Sequence, residues 1–234
     1  MASPDRMRAD YHGLVRQDVL PLMPTGGGRL LDLGGGVGAT AAWLKAQGRC
    51  KVAGVIDQVA DAPAAGLDFA EAGDLEDLRF LRRVVDKHGP FETVLCLDVL
   101  EHLRDPWTVV RTLHRGLVPG GRIIASIPNV RNFKALLPLL LLNRWTLTDA
   151  GVLDRTHLRF FVRSTALDLM THSGLELEDV RAKPSGGRSV RMFRALTLGL
   201  MNSFTDLQYL IRVRAPDQPV TVQKALPGFA LAGG

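Results

Sequence analysis

The chain has 234 residues, 46% hydrophobic and 23% charged, a composition that belongs to one globular domain and excludes disordered and fibrous classes. Lysine and arginine exceed aspartate and glutamate by 29 − 24 = 5, a mild surplus read first as solubility. The two cysteines, Cys50 and Cys96, form neither a disulfide framework nor a metal cluster by their placement, and they fit a reducing cytoplasm.

The opening MASPDRMRADYHG lacks the apolar core of a secretory signal and leads into a helix predicted over 5–20. From there short β-branched runs alternate with longer helical patterns, the rhythm of parallel βαβ units. A strand at 29–33 is followed by a glycine loop and a helix at 39–47. Strands at 51–56 and 67–70 precede a charged amphipathic helix at 77–87, which Gly89-Pro90 closes. A buried strand at 91–97 leads to a helix at 106–117 with Pro106 in its first turn, where a missing N–H costs nothing.

Pro119-Gly120-Gly121 reads as a turn before a strand at 122–127, and helices follow at 132–142 and 164–173. The aliphatic run 135–142 is eight residues interrupted by Pro138, while a bilayer span needs roughly twenty, so it is a lid or an interface rather than a membrane helix. Strands at 175–181 and 207–214 flank a helix at 190–202. Residues 215–234, rich in proline, glycine and alanine, read as a loose tail. The predicted fold is a doubly wound, Rossmann-like α/β sheet of seven strands, mostly parallel with a late antiparallel strand. The cofactor-binding core is 29–128 and the substrate-side cap with the late strands is 129–214.

The loop Asp32-Leu33-Gly34-Gly35-Gly36-Val37-Gly38 carries the first chemical signal. Glycines at a strand end let backbone N–H groups approach a ligand at a helix N-terminus. Gly34, Gly36 and Ala39 also match the dinucleotide fingerprint G-x-G-x-x-A, which keeps a nicotinamide-dependent oxidoreductase open. Asp32 argues the other way, because a carboxylate beside the loop attracts an ammonium group and repels a pyrophosphate.

LLDLGGGVG resembles motif I of class I S-adenosylmethionine-dependent methyltransferases, although that family often has cysteine where Gly35 stands. The resemblance implies S-adenosylmethionine as cofactor, bound by Asp32, Gly34, Gly35 and Gly36. It implies a ribose-binding acid at Asp57, one position after Ile56, where that acid more usually lies. It also implies an adenine-facing loop at Gly73-Asp74-Leu75, and cofactor contacts from Leu97 and Asp98. Read alone, Asp74 is equally a helix N-cap.

The run Asp98-Val99-Leu100-Glu101-His102 places two acids and a histidine at helical spacing, on one face if the segment is helical. With Asp105-Pro106, Ile127-Pro128-Asn129 and Asp154-Arg155-Thr156-His157, it resembles a methyltransferase subgroup that includes many sugar O-methyltransferases. Tyr11, Arg16 and Pro24 sit as in that subgroup. The candidate catalytic residues are His102, His157 and Glu101. Either a histidine serves as general base, or Asp98, Glu101 and His102 hold a divalent metal, or the groups are structural. Trp107, Trp145 and Phe160-Phe161 read as packing.

A basic cluster at Arg181, Lys183, Arg188, Arg191 and Arg194 is a solvated helix face or an attraction for a phosphate-bearing acceptor. The expected partner is a small hydroxylated metabolite, with no DNA and no membrane span. RNA 2′-O-methylation and a non-catalytic cofactor-binding module stand as further alternatives.

Overall fold

The computed structural model describes residues 14–58 and 62–217. Five strands form its parallel part: β1 (Arg29–Leu33), β2 (Val52–Asp57), β3 (Phe69–Ala72), β4 (Phe91–Leu97) and β5 (Leu117–Pro128). With β6 (Glu176–Pro184) and β7 (Asp206–Arg214) they make one seven-stranded sheet in the order β3-β2-β1-β4-β5-β7-β6. β7 runs antiparallel to both of its neighbours and is the one reversed strand, as predicted.

β1 shows how the sequence builds the middle of the sheet. Leu31 and Leu33 enter one core cluster and Leu30 the other, the period-two alternation of a strand covered on both faces. One face is covered by α2 (Leu78–His88), α3 (Pro106–Arg115) and α5 (Arg163–Thr171). The opposite face is covered by α1 (Ala39–Ala46) and a 3₁₀ turn at Gln17–Leu22 that buries Val19 and Leu22. α2 and α3 start where aspartates accept backbone N–H groups: Asp77 from Arg79 at 2.9 Å and Asp105 from Thr108 at 3.1 Å.

Several expectations shift. Residues 5–13 of the predicted N-terminal helix lie outside the described residues, and the rest is coil and the 3₁₀ turn, in which Pro21 lacks a backbone donor. β3 begins two residues later than expected, with Leu67 packed beside α1's cluster instead. The 119–121 turn is not a separate boundary. It bulges out of β5, whose pairing jumps from Phe91↔Leu117 to Thr93↔Arg122. The apolar run 158–162 contributes one bridge, Asn129↔Phe161, and no strand. Phe161 is core, but Phe160 is exposed against Trp145, ring centroids 5.2 Å apart.

α4 (Phe133–Leu142) follows β5, and α6 (Arg188–Leu196) lies between β6 and β7. Ala215 bonds back to Gly120 and Gly121, so the predicted loose tail is anchored through its first residue, and 218–234 lie outside the described residues. Among the described residues no helix is long and apolar enough to cross a membrane.

Candidate active site

The sheet order reverses between β1 and β4, and the crevice at their carboxyl ends is where open α/β sheets bind ligands. The chain leaves β1 through Gly34, whose φ of +70° few side chains adopt, and Gly34 N–H donates to Ile56 O at 2.8 Å. A Cβ on Gly34 would lie 2.4 Å from a Val99 methyl, and one on Gly35 would lie 2.5 Å from the Asp32 carboxyl carbon. The loop therefore closes tightly over Asp32. The cysteine common at Gly35's position in the resembled motif would have to displace that carboxylate.

Asp32 is 1% exposed, and its Oδ1 has no hydrogen-bond partner among the described residues. Burial, with the nearby Asp57 charge, pushes its pKa up to about 7, against a smaller pull from Arg16. Asp32, Gly34, Gly35, Gly36 and Leu97 line one pocket together with Leu14, Arg16 and Thr40. Asp57 ends β2 and accepts the Gly36 N–H at 2.8 Å, so it braces the loop from the neighbouring strand. Asp74 accepts Glu76 N–H at 2.9 Å in a turn, and Asp77 rather than Asp74 caps α2. Leu75 is packed in the core.

Arg16 is the pocket residue that spacing could not reveal. Its guanidinium meets Asp18 at 2.9 Å and also pairs with Asp98, 82 residues away, while its backbone N–H donates to Thr40 Oγ1 at 3.1 Å. Only the resemblance of the N-terminal segment pointed to it. Asp98 has φ +53°, receives the Ser126 hydroxyl and returns its own N–H to Ser126 Oγ at 3.0 Å.

The acid-histidine run is not the expected helical face. Positive φ at Asp98 ends the strand, and only Leu100–His102 forms a 3₁₀ turn, so Asp98 pairs with Arg16 instead of sharing a helical face with Glu101 and His102. The set Asp98–Glu101–His102 does not assemble. Glu101, His102 and His157 do, with one ligand atom from each lying within 4.8 Å of the others. Leu158 and Arg159 N–H groups donate to Glu101 O at 2.9 and 3.0 Å and bring His157 in. Asp154, accepting Thr156 N–H at 2.8 Å, shapes the intervening turn.

Glu101 is 1% exposed, and neither carboxyl oxygen has a hydrogen-bond partner among the described residues. His157 Nε2 lies 3.9 Å from Oε1. His102 Nδ1 is 3.2 Å from Thr156 O, and His157 Nδ1 is 3.2 Å from Val152 O. A carbonyl only accepts, so each Nδ1 carries its proton and each neutral ring keeps an Nε2 lone pair. Burial, then the Asp98 charge, raises the Glu101 pKa well above the usual range, while burial and His102 lower that of His157.

A family model described as a methyltransferase domain matches residues 7–180. The chain belongs to the S-adenosylmethionine-dependent methyltransferases. It is 33% identical over 160 residues to the ubiquinone biosynthesis O-methyltransferase of Pseudomonas aeruginosa, covering 66% of this chain and 67% of that one. The enzyme of the same name from Ralstonia nicotianae is 31% identical over 207 residues, covering 84% and 80%. Among solved structures, a SAM-dependent methyltransferase from Archaeoglobus fulgidus superposes with TM-score 0.57 at 16% identity, covering 91% of this chain and 95% of that one. The N-methyltransferase NodS of Bradyrhizobium japonicum, solved with S-adenosyl-L-homocysteine, gives 0.54 at 17% identity, covering 91% and 88%. With the family shown, the oxidoreductase reading of Gly34, Gly36 and Ala39 falls away.

Proposed function

We propose that this methyltransferase acts on a hydroxyl oxygen of a small metabolite, a sugar or a phosphate-bearing sugar among them, and that His157 takes the proton. The observation that carries the reading is the Glu101 carboxylate, buried without a hydrogen-bond donor beside two imidazole lone pairs. The cluster is rich in acceptors and lacks a donor, and an incoming hydroxyl is the donor it lacks. That both relatives are named O-methyltransferases supports oxygen as the acceptor atom.

S-adenosylmethionine, when bound, supplies an electrophilic methyl group. Asp32 offers its unpartnered Oδ1 to the methionyl ammonium, Arg16 lines the same pocket with its guanidinium held by Asp18 and Asp98, and the glycine loop, its Gly34 and Gly36 N–H groups held by Ile56 O and Asp57, lets the cofactor approach the backbone closely. Asp57 is the proposed ribose acid, and the loop of Asp74 and Leu75 the proposed adenine side. Near the acceptor, burial draws the proton affinities of Glu101 and His157 toward each other, a pairing suited to proton transfer. His157 Nε2 receives the hydroxyl proton, and the Glu101 carboxylate stabilises the resulting imidazolium. One carboxylate and two imidazole nitrogens also fit a divalent cation, which Glu101, His102 and His157 would hold and which would supply Lewis acidity at the acceptor oxygen.

The test is methyl transfer to a panel of nucleotide sugars, glycans, phenols and short RNAs, read by mass shift. Activity should rise with pH to a plateau as the Glu101–His157 pair loses its proton, and His157→Ala should lower kcat by roughly 10²–10⁴-fold with cofactor binding retained. Loss of turnover on chelation, restored by Mg²⁺ or Mn²⁺, would replace the base with the cation. Full activity of His157→Ala without any effect of chelation would overturn both.

A further inference from the structure

Two exposed apolar stretches among the described residues are brought to the same edge of the sheet. α4 leaves the carboxyl end of β5, and residues 185–205, which include α6, fill the excursion between the end of β6 and the start of β7. Their roots are tied together. Asn132, at the start of α4, donates to Ser185 Oγ at 3.2 Å and to Asp206 O at 3.0 Å, and Asn129 donates to Ser203 O at 2.7 Å. Beyond those ties little is covered: Ala135 is the one buried residue of α4, and Val190 that of α6.

What these segments expose is hydrocarbon. Leu140, Leu141 and Leu142 are 67%, 73% and 61% exposed at the end of α4. Leu196, Leu198 and Leu200, at and just past the end of α6, are 76%, 88% and 87% exposed. Trp145 stands exposed just after α4, an amphipathic ring of the kind that settles at membrane–water boundaries.

Within the two segments themselves the charge has one sign. Residues 131–148 carry three basic side chains and no acid, and residues 181–205 carry five and no acid. Arg181, Lys183 and Arg194 are paired with Asp179, Asp18 and Asp206, so the basic cluster is not a single solvated face. Lys134, Arg144, Arg188 and Arg191 are exposed and make no ion pair among the described residues.

We infer that α4 and the 185–205 excursion form a docking surface for an anionic lipid bilayer, which turns the carboxyl edge of the sheet toward the membrane. Leucine side chains without a covering element gain by entering the acyl boundary, while the unpaired cations sit at the level of anionic headgroups. A second copy fits less well, because a two-fold contact sets each basic patch against itself. The surface is independent of the acceptor's identity and of the catalytic cluster.

The test is flotation of the full chain with vesicles of phosphatidylcholine, with and without phosphatidylglycerol. The protein should float with the anionic vesicles, remain behind with the neutral ones, and release as salt is raised. Leu140→Ser with Leu141→Ser, and separately Arg188→Glu with Arg191→Glu, should each weaken partitioning by at least about tenfold. Because these side chains are exposed, thermal midpoint and S-adenosylhomocysteine binding should stay unchanged. No flotation, equal flotation with neutral vesicles, or variants that float as well as the parent would overturn the inference. So would a dimer in light scattering that the leucine variant dissolves, since the face would then belong to a second copy.

Discussion

Asp32 gains its proton affinity from enclosure, and in the proposed ammonium site that would couple cofactor binding to pH. A carboxylate that must be ionised to hold an ammonium, with its pKa near 7, binds more tightly as pH rises toward that value. The affinity for S-adenosylmethionine, measured by calorimetry, should improve by about tenfold per unit below neutrality and then level off. Asp32→Asn keeps the shape and loses the charge. Its binding should be weaker by about 1.5–3 kcal/mol and flat with pH. A parent affinity that does not change with pH would remove Asp32 from the ammonium site. Asp32 was legible because an acid beside glycines at a strand end has few other uses. Asp98 and Glu101 were harder to separate. Both are acids in one short run, and a single positive φ at Asp98 sends one to Arg16 and leaves the other with the histidines.

At the level of elements, β1 and β4 have the bounds the sequence pattern predicts, because continuous apolar runs between turn residues leave little choice. The spacing of Asp98, Glu101 and His102 suits a helix, yet only three residues turn before Leu103 returns to extended backbone. The Glu101–His102–His157 cluster depends on a loop meeting that turn 56 residues later in the chain, at His157, a contact that local periodicity does not encode. Asn132 shows how an element end carries tertiary weight. Its Oδ1 caps α4 by accepting Lys134 N–H at 3.1 Å, and its amide nitrogen reaches Ser185 and Asp206. Asn132→Ala removes the cap, takes from Asp206 O one of its two amide donors, the other being Asn129 Nδ2 at 2.9 Å, and takes from the buried Ser185 hydroxyl its donor. Unfolding by urea should show a loss of about 2–4 kcal/mol, with the slope of the transition unchanged. A loss below about 0.5 kcal/mol would mean that solvent replaces these bonds.

For the molecule as a whole, an enclosed acid makes the unliganded protein less stable as pH rises. The native Asp32 pKa of about 7 stands above the ordinary carboxyl value of 3.8, so the folded chain holds an extra proton between them and loses stability as pH climbs through that window. His114 and His157, both lowered by burial, act in the opposite sense near their ordinary value of 6.5. The comparison that isolates Asp32 is therefore parent against Asp32→Asn. S-adenosylhomocysteine at about 100 times its dissociation constant should raise stability by about 2.7 kcal/mol, measured by thermal melting, and NADH should not. The shift at a fixed ligand concentration should be larger at about pH 8 than at about pH 6, and the difference should vanish in Asp32→Asn. The seven strands, mostly parallel with one late reversal, were legible from the alternation of strands and helices, whereas the gathering of α4 and the 185–205 excursion was not, since it rests on asparagine bonds to distant groups. The single reversed strand that permits that gathering has an evolutionary reading. β7 starts at the carboxyl edge of the parallel strands, so chain inserted before it appears there without disturbing any of those five strands. Residues 185–205 are thus a cassette, and a chimera that exchanges them for a relative's segment should inherit new acceptor or surface preferences on an unaltered S-adenosylmethionine-binding frame.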